Sequence, residues 1–349
     1  MNTILKEDVR AVLGDALPWD RLKNSTVLIT GAAGMIPAYF VHTLLGLNDR
    51  DGLGIVVLAL VRNRVRAEKT FGGYLKRPDF TLLVQDVTQP VSYAGQIDYI
   101  VHGASQASPK YYGVDPVGTL NANVLGTNAL LQLARQKQAK CFFFLSTGDV
   151  YGVPVVHTPV EESDYGYIDI LNVRSCYNES KRLAETMCIC WGSQYGLPVK
   201  IARITHTYGP GLRMDDGRVF ADFSANIVRG ENIKMFSDGR ATRTFCYITD
   251  CVRAIYRILF FGEKGTAYNI ANAEQSFSVL QLAEMLVALF PEKGLQVEMR
   301  KRETEGEDYL PSPLQDVQWN VSRLEELGWS PEVDAKEGFH RLIQYMQDT

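Results

Sequence analysis

A tyrosine and a lysine four residues apart, Tyr177 and Lys181 in CYNESK, form a pair whose types and spacing suggest chemistry. On a helix the two side chains share one face, a turn apart. An ammonium there either makes an ordinary solvated pair or favours the ionised phenol, and six residues alone leave both readings open. A second candidate is TGAAGMIPAY (30–39), which lies between an apolar run and a helical pattern. Gly31 and Gly34 let the backbone turn tightly and approach a pyrophosphate, whose charge a helix N-terminus favours. The third position of such a loop, often glycine, is Pro37, which a helix tolerates in its first turn. LVRNRVR (60–66) closes the next apolar run with no carboxylate. Arg62, with Arg64 nearby, suits the 2′-phosphate of NADP better than the bare ribose of NAD, unless the stretch is a solvated basic loop. Asp86 and Val87 follow the third apolar run, where an adenine would lie, although an aspartate ending a strand is also a common turn residue.

These residues need a frame that holds loops at one edge of a sheet. VLIT (27–30), GIVVLALV (54–61), TLLVQDV (81–87), YIVHGAS (99–105), CFFFLST (141–147) and VKIARI (199–204) are continuously apolar, as expected for parallel strands covered on both faces. Segments such as 119–136 between them have helical spacing. The alternation predicts an α/β fold, a Rossmann-type doubly wound parallel sheet. After Tyr208 the texture changes to YGPGLRMDDGR and shorter elements, including an amphipathic helix at 277–290 with Ser278 and Gln281 spaced as a capping box, and a closing helix at 338–346. The expected organisation is an N-terminal extension (1–25), a dinucleotide-binding domain (26–205) and a smaller C-terminal α/β substrate lobe (206–349), with an interleaved boundary.

Composition narrows the function classes. The chain has 349 residues, 46% of them hydrophobic, and a net charge of -4 with no block of like charge. That disfavours nucleic acid or an acidic membrane as the main partner. Six scattered cysteines without a CxxC pair, and five histidines without an HExxH, point to a reducing compartment and no metal site. The start, MNTILKEDVR, is charged by its sixth residue and has no apolar signal core, and the stretch from Val27 to Leu47 is too interrupted for a membrane span. The expectation is a cytoplasmic protein.

Taken together, TGAAGMI, HGASQASP (102–109), STGDVYG (146–152), YNESK, ARITHTYGPG (202–211), DDGRV (215–219) and TRTFCYITD (242–250) resemble the extended short-chain dehydrogenase/reductase family, whose members modify nucleotide-activated sugars. The resemblance runs over nearly the whole chain after Ser25 and is greatest to the UDP-glucuronate decarboxylase branch. It implies that Tyr177 is the acid/base, that Lys181 favours its phenolate and meets the nicotinamide ribose, and that Thr147 bonds the reacting oxygen. A free phenol, with a pKa of ~10, needs such help near neutrality. It further implies a cofactor site of Gly31, Gly34, Met35, Ile36, Arg62, Asp86, Val87, Ala104, Ser105, Asn123 and Lys181. Substrate contacts are implied at Ser108, Gly148, His206, Arg218, Val219, Met235 and Arg243, the last suited to a diphosphate by its planar fork. A homodimer through a four-helix bundle is implied as well.

The departures from the family pattern select among reactions. A 4,6-dehydratase of this family places Asp–Glu directly after the threonine, and the decarboxylase branch Ser–Glu; here Gly148 and Asp149 follow Thr147. One carboxylate cannot readily both protonate a leaving hydroxyl and remove a proton, so dehydration is disfavoured. His206 replaces an asparagine of the family, and LPSPLQDVQ (310–318) lacks the usual Lys-Pro-Asp. Epimerisation by transient oxidation asks least of Thr147, Asp149, Tyr177 and Lys181. It is the leading expectation, with NADP placed ahead of NAD. Decarboxylation of a UDP-glucuronate-like substrate comes next, then NADPH-dependent reduction of a keto sugar. A cofactor sensor without turnover is the non-enzymatic alternative.

Overall fold

The computed structural model describes residues 2–153, 159–300 and 317–349. An opening helix, α1 (Thr3–Gly14), is capped by Asn2, whose side chain accepts from the Ile4 amide, and is followed by a single 3₁₀ turn, Trp19–Leu22. The apolar runs then become strands β1 (Thr26–Thr30), β2 (Val56–Val61), β3 (Phe80–Val84), β4 (Tyr99–His102), β5 (Cys141–Thr147) and β6 (Val199–Ile204). Between them lie α2 (Met35–Asp51), α3 (Arg64–Phe71), α4 (Lys110–Val114), α5 (Pro116–Gln136) and α6 (Ser175–Tyr195). Pro116 opens α5 where a missing amide costs nothing, and Asp115 caps it by accepting from the Gly118 amide. Gly196, left-handed, stops α6.

The chain next lays down β7 (His206–Tyr208), α7 (Val219–Arg229), β8 (Ile233–Met235), β9 (Thr242–Tyr247), α8 (Ile248–Phe261), β10 (Thr266–Ile270), β11 (Ser276–Ser278), α9 (Val279–Leu289) and β12 (Val297–Met299). It ends with α10 (Ser322–Glu325) and α11 (Ala335–Gln347). The central sheet has seven parallel strands in the order β3-β2-β1-β4-β5-β6-β10. Strand β10 pairs with β6 in register Thr266↔Lys200. Past residue 205 the chain divides between sheets: α8 and β10 return to the first sheet, while β7, β9 and β11 make a separate three-stranded sheet and β8 pairs with β12.

Both faces of the central sheet are covered, which is why its strands carry no polar alternation. Val27, Ile29 and Phe143 point into the core shared with α2 and α8, whereas Leu28, Phe142 and Phe144 point to the face covered by α5 and α6. The capping box at Ser278 and Gln281 forms as expected from their spacing. Among the described residues no helix is long and apolar enough to cross a membrane, and the six cysteines are unpaired.

Candidate active site

Strand β5 ends at Thr147 and runs straight into a 3₁₀ turn, Gly148–Tyr151, whose Asp149 amide donates to the Thr147 hydroxyl at 3.2 Å. Helix α6 packs on this turn and brings Tyr177 to it, where the Thr147 hydroxyl is near enough to act on the phenol. Tyr177 is only 6% exposed and stacks on Tyr112 of α4, with centroids 5.0 Å apart and planes inclined by 16°. One turn along α6, Lys181 is 2% exposed and donates to the Leu145 carbonyl at 2.8 Å. The register of α6 is fixed from the other side by Asn123, which donates to Ser180 Oγ at 2.9 Å, and Ser180 in turn donates to the Tyr177 carbonyl.

The electrostatics differ from the expectation that Lys181 lowers the Tyr177 pKa. Burial raises the phenol well above its usual value, and the Asp149 carboxylate raises it further. Thr147 and Arg218 act against this, and Lys181 is not among the groups that act on it. Burial also pushes Lys181 down, to about 7, against the pull of Glu185. The reason is physical: with the lysine tied to a carbonyl, desolvation dominates both groups. A dinucleotide whose oxidised ring is cationic would favour the ionised phenol.

The residues that would hold such a dinucleotide fit it. Gly31 has φ +64°, and a Cβ there would lie 2.7 Å from the Ala104 Cα, so β1 and β4 approach as closely as a phosphate loop needs. Gly34 caps α2, leaving the Met35 and Ile36 amides at the helix N-terminus. Pro37 replaces the third glycine by packing its ring on Gly103, where a Cβ would fall 2.6 Å from Cγ. Ser105 Oγ and Asn123 Oδ1 are buried without a partner, as expected of groups that await ligand atoms. The Ala104 amide is held by Thr30 Oγ1 at 3.2 Å. Asp86 is held below the usual carboxylate range chiefly by the Thr88 amide, with Arg62 adding a weaker pull, so much of its charge serves its own turn. Val87 is buried against Gly126 of α5. Arg62 is exposed, whereas half-buried Arg66 lines a cavity of about 860 Å³ with Gly34, Asn63, Lys69 and Arg213.

Three guanidiniums act on Asp149, Arg174 from the entrance of α6 and two from the second lobe. Burial raises this carboxyl above its usual value, against Arg174, Arg243 and Arg218. Arg218 caps the start of α7, next to Val219, and is ion-paired with Asp216; Arg243 lies on β9. His206 on β7 packs against Phe220 and Phe245, and burial, aided by Arg243 and Arg218, pushes it down to about 3. It is neutral at physiological pH. Ser108 donates to the Asp216 carbonyl and Lys110 to the Asp215 carbonyl, so the loop before α7 is clasped across the cleft. Met235 is buried in the core of the smaller lobe, with its Cε against Gly239.

Gly148 is buried for a reason invisible in its surroundings in the sequence. A Cβ there would overlap Cη2 of Trp319 and lie 3.1 Å from Cζ2 and Cζ3. Three contributors escaped the sequence reading: Trp319, Tyr112 and Arg174. Only Arg174, three residues before Tyr177, carried a local signal, as a charge at the helix entrance. Of the 310–318 stretch, residues 310–316 lie outside the described residues.

With this geometry in view, residues 27–271 match the model of the NAD dependent epimerase/dehydratase family. The chain is 36% identical over 316 residues to UDP-glucuronic acid decarboxylase 6 of Arabidopsis thaliana, covering 90% of this chain and 87% of that protein. It is 32% identical to UDP-glucuronic acid decarboxylase 1 of Danio rerio, covering 91% and 72%. In fold it is similar to the UDP-glucose 4-epimerase of Thermotoga maritima, with a TM-score of 0.79 at 24% identity, covering 93% and 99%. It is also similar to the UDP-glucuronic acid 4-epimerase of Bacillus cereus bound to UDP-glucuronic acid and NAD, with a TM-score of 0.77 at 22% identity, covering 93% and 99%.

Proposed function

The chain belongs to the NAD-dependent epimerase/dehydratase family, the extended short-chain dehydrogenases, and from that premise we propose that it epimerises a sugar or polyol linked to a nucleoside diphosphate. The observation that carries this reading is the content of the chamber. It holds a hydroxyl (Thr147), a phenol (Tyr177) and one carboxylate (Asp149), and where a second functional group could stand, Gly148 lies under an indole. A nicotinamide held at this site would supply a reversible hydride acceptor for the carbinol carbon. Tyr177 takes the hydroxyl proton as the ketone forms and gives it back, while Thr147 orients the oxygen. Return of hydride to the opposite face inverts the carbon, with no net change in atoms or electrons.

The arginines near Asp149 support an anionic substrate end, a diphosphate. NADP is the preferred cofactor in this reading. The support is the absence of a carboxylate after β2, with Arg62 there, and the cavity beside the phosphate loop, into which Arg66 brings a guanidinium that has no hydrogen bond or ion pair among the described residues. Replacing Arg66 with Gln is expected to weaken NADP binding about 10-fold, the ~1.4 kcal/mol of one charge-assisted hydrogen bond, and to leave NAD binding alone. Calorimetric titration with both dinucleotides checks it. A homodimer is supported by Leu120 and Leu125 on α5 and Leu183 and Ile189 on α6, apolar and exposed on a closely packed helix pair.

The deciding assay is product mass from a panel of nucleotide-linked sugars, uronates and polyols with either cofactor. An isobaric product with a new retention time supports epimerisation. Loss of CO2 instead makes the enzyme a decarboxylase, the reading favoured by the 36% identity to UDP-glucuronic acid decarboxylase 6. Tyr177→Phe is expected to abolish turnover and spare cofactor binding; turnover at the unaltered rate would overturn the catalytic assignment, and binding without turnover by the unaltered protein would make it a sensor.

A further inference from the structure

We propose that Trp319 and Gly148 are a coupled specificity pair. The indole takes the space of the side chain that would follow Thr147, and so selects sugars carrying hydrogen or methyl, not carboxylate or hydroxymethyl, beside the oxidised carbon. This rests on the epimerase reading above. Space, not backbone conformation, demands the glycine: Gly148 is absent from the positive-φ residues, yet any Cβ there meets the ring of Trp319. Nor can the ring easily swing away. It is 7% exposed and packs edge-on against Tyr151, with centroids 5.6 Å apart. Its backbone is pinned on both sides, Val160 N donating to the Gln318 carbonyl at 2.9 Å and Asn320 N to the Val160 carbonyl at 3.0 Å. Asn269 then donates to the carbonyls of Val160 and Asn320 and accepts from the Tyr151 hydroxyl, tying the segment to β10 and to the turn that contains Gly148.

The consequence for a substrate follows from position. In the epimerase reading the carbinol carbon sits between Thr147 and Tyr177, because the Thr147 hydroxyl stands beside the phenol that takes the proton. Residues 147–149 then present, in succession, a hydroxyl, a bare Cα backed by an aromatic edge, and a carboxylate. A group against the bare Cα finds no donor or acceptor from that side chain. A carboxylate or hydroxymethyl against that face gives up water and gains no partner from residue 148, whereas a hydrogen or methyl loses nothing there.

The test compares UDP-linked pentose, 6-deoxyhexose, hexose and hexuronate as substrates and as ligands of the unaltered protein, Trp319→Leu, Trp319→Ala, Gly148→Ser and Gly148→Ser/Trp319→Ala. The unaltered protein is expected to bind and turn over the pentose and 6-deoxyhexose at least 10-fold better than the other two. Trp319→Leu keeps apolar contact with Tyr151 but shortens the ring, and is expected to narrow that gap several-fold through KM while retaining its melting midpoint. Gly148→Ser alone is expected to lose activity and melt earlier, and the double variant to regain both, an interaction that independent sites would not produce. Equal dissociation constants for pentose and hexuronate in the unaltered protein, or an unchanged ranking in both folded Trp319 variants, would overturn the pair. The ranking of dissociation constants tests it without turnover, so a correct ranking with no isobaric product counts for the pair and against the epimerase reading.

Discussion

Two carboxylates, a half-buried one in the chamber and a buried one just beneath it, are treated differently by the same protein. Glu185 on α6 accepts from Ser146 Oγ at 2.5 Å and from Arg203 Nη2 at 2.7 Å, with Arg203 Nε closing the fork. Arg203 spends its remaining donors on the Tyr151 hydroxyl and the Glu162 carbonyl. Asp149, half-buried, feels three guanidiniums but accepts no hydrogen bond among the described residues, and burial raises its pKa. The difference teaches that arginine beside carboxylate does not mark a site; a carboxylate whose neighbours act on it without bonding it does. The first cluster holds β5, β6 and α6 together, and the second places a carboxylate beside Thr147 and Tyr177.

That contrast can be broken by exchange of each carboxylate for its amide. Glu185→Gln leaves Arg203 buried with a neutral partner and is expected to cost about 3–5 kcal/mol in a denaturant titration. Asp149→Asn is expected to leave the unfolding midpoint where it is, since no bond is lost, while kcat falls about 100-fold or more if the group acts as acid or base. Equal losses of stability from the two variants would dissolve the distinction.

The lysine next to Glu185 sharpens it. Lys181 has its folded pKa lowered to about 7 from 10.5, so between those values the unfolded chain binds more protons. The stability of the cofactor-free protein is therefore expected to rise as pH increases from 7 towards 10.5. Below 7 the full cost of the buried ammonium is present. Lys181→Met should flatten that rise; an unchanged slope would mean that another group produces it. The smallest effect concerns His206, pushed to about 3 and hence neutral. His206→Asn is expected to leave the shape of the kcat/KM profile between pH 5 and 8 unaltered. A limb lost in the variant would show that the histidine titrates during catalysis.

Much of the frame could be read in advance. Unbroken apolar runs such as CFFFLST announce strands covered on both faces, and Ser278 and Gln281 announce a helix start, because these signals are local. The spacing of Tyr177 and Lys181 placed both on α6, and Thr147 was met where β5 ends. What escaped was set by contacts between distant parts of the chain. Gly148 read as a lost hydroxyl; it is a space ceded to Trp319, 171 residues on, and no pattern near either residue says so. The stacking of Tyr112 on Tyr177 is of the same kind. Nor does a sequence display burial, which dominates the electrostatics of Tyr177 and Lys181.

Helix α1 has a consequence in time. Its Asp8 is 2% exposed and accepts from the Tyr39 hydroxyl of α2 at 2.7 Å, the Tyr247 hydroxyl of β9 at 2.8 Å and Arg341 of α11 at 2.8 Å. Asp8 and Arg341 stand 333 positions apart. At ribosomal rates of ~5–20 residues per second, the carboxylate waits roughly 20–60 s for its guanidinium. During that interval the first helix has its α2 partner but not the last one, and the nascent chain carries a half-made junction that a chaperone or a protease can reach. Helix α11 thus locks α1 only after the whole of the intervening sheet has been made.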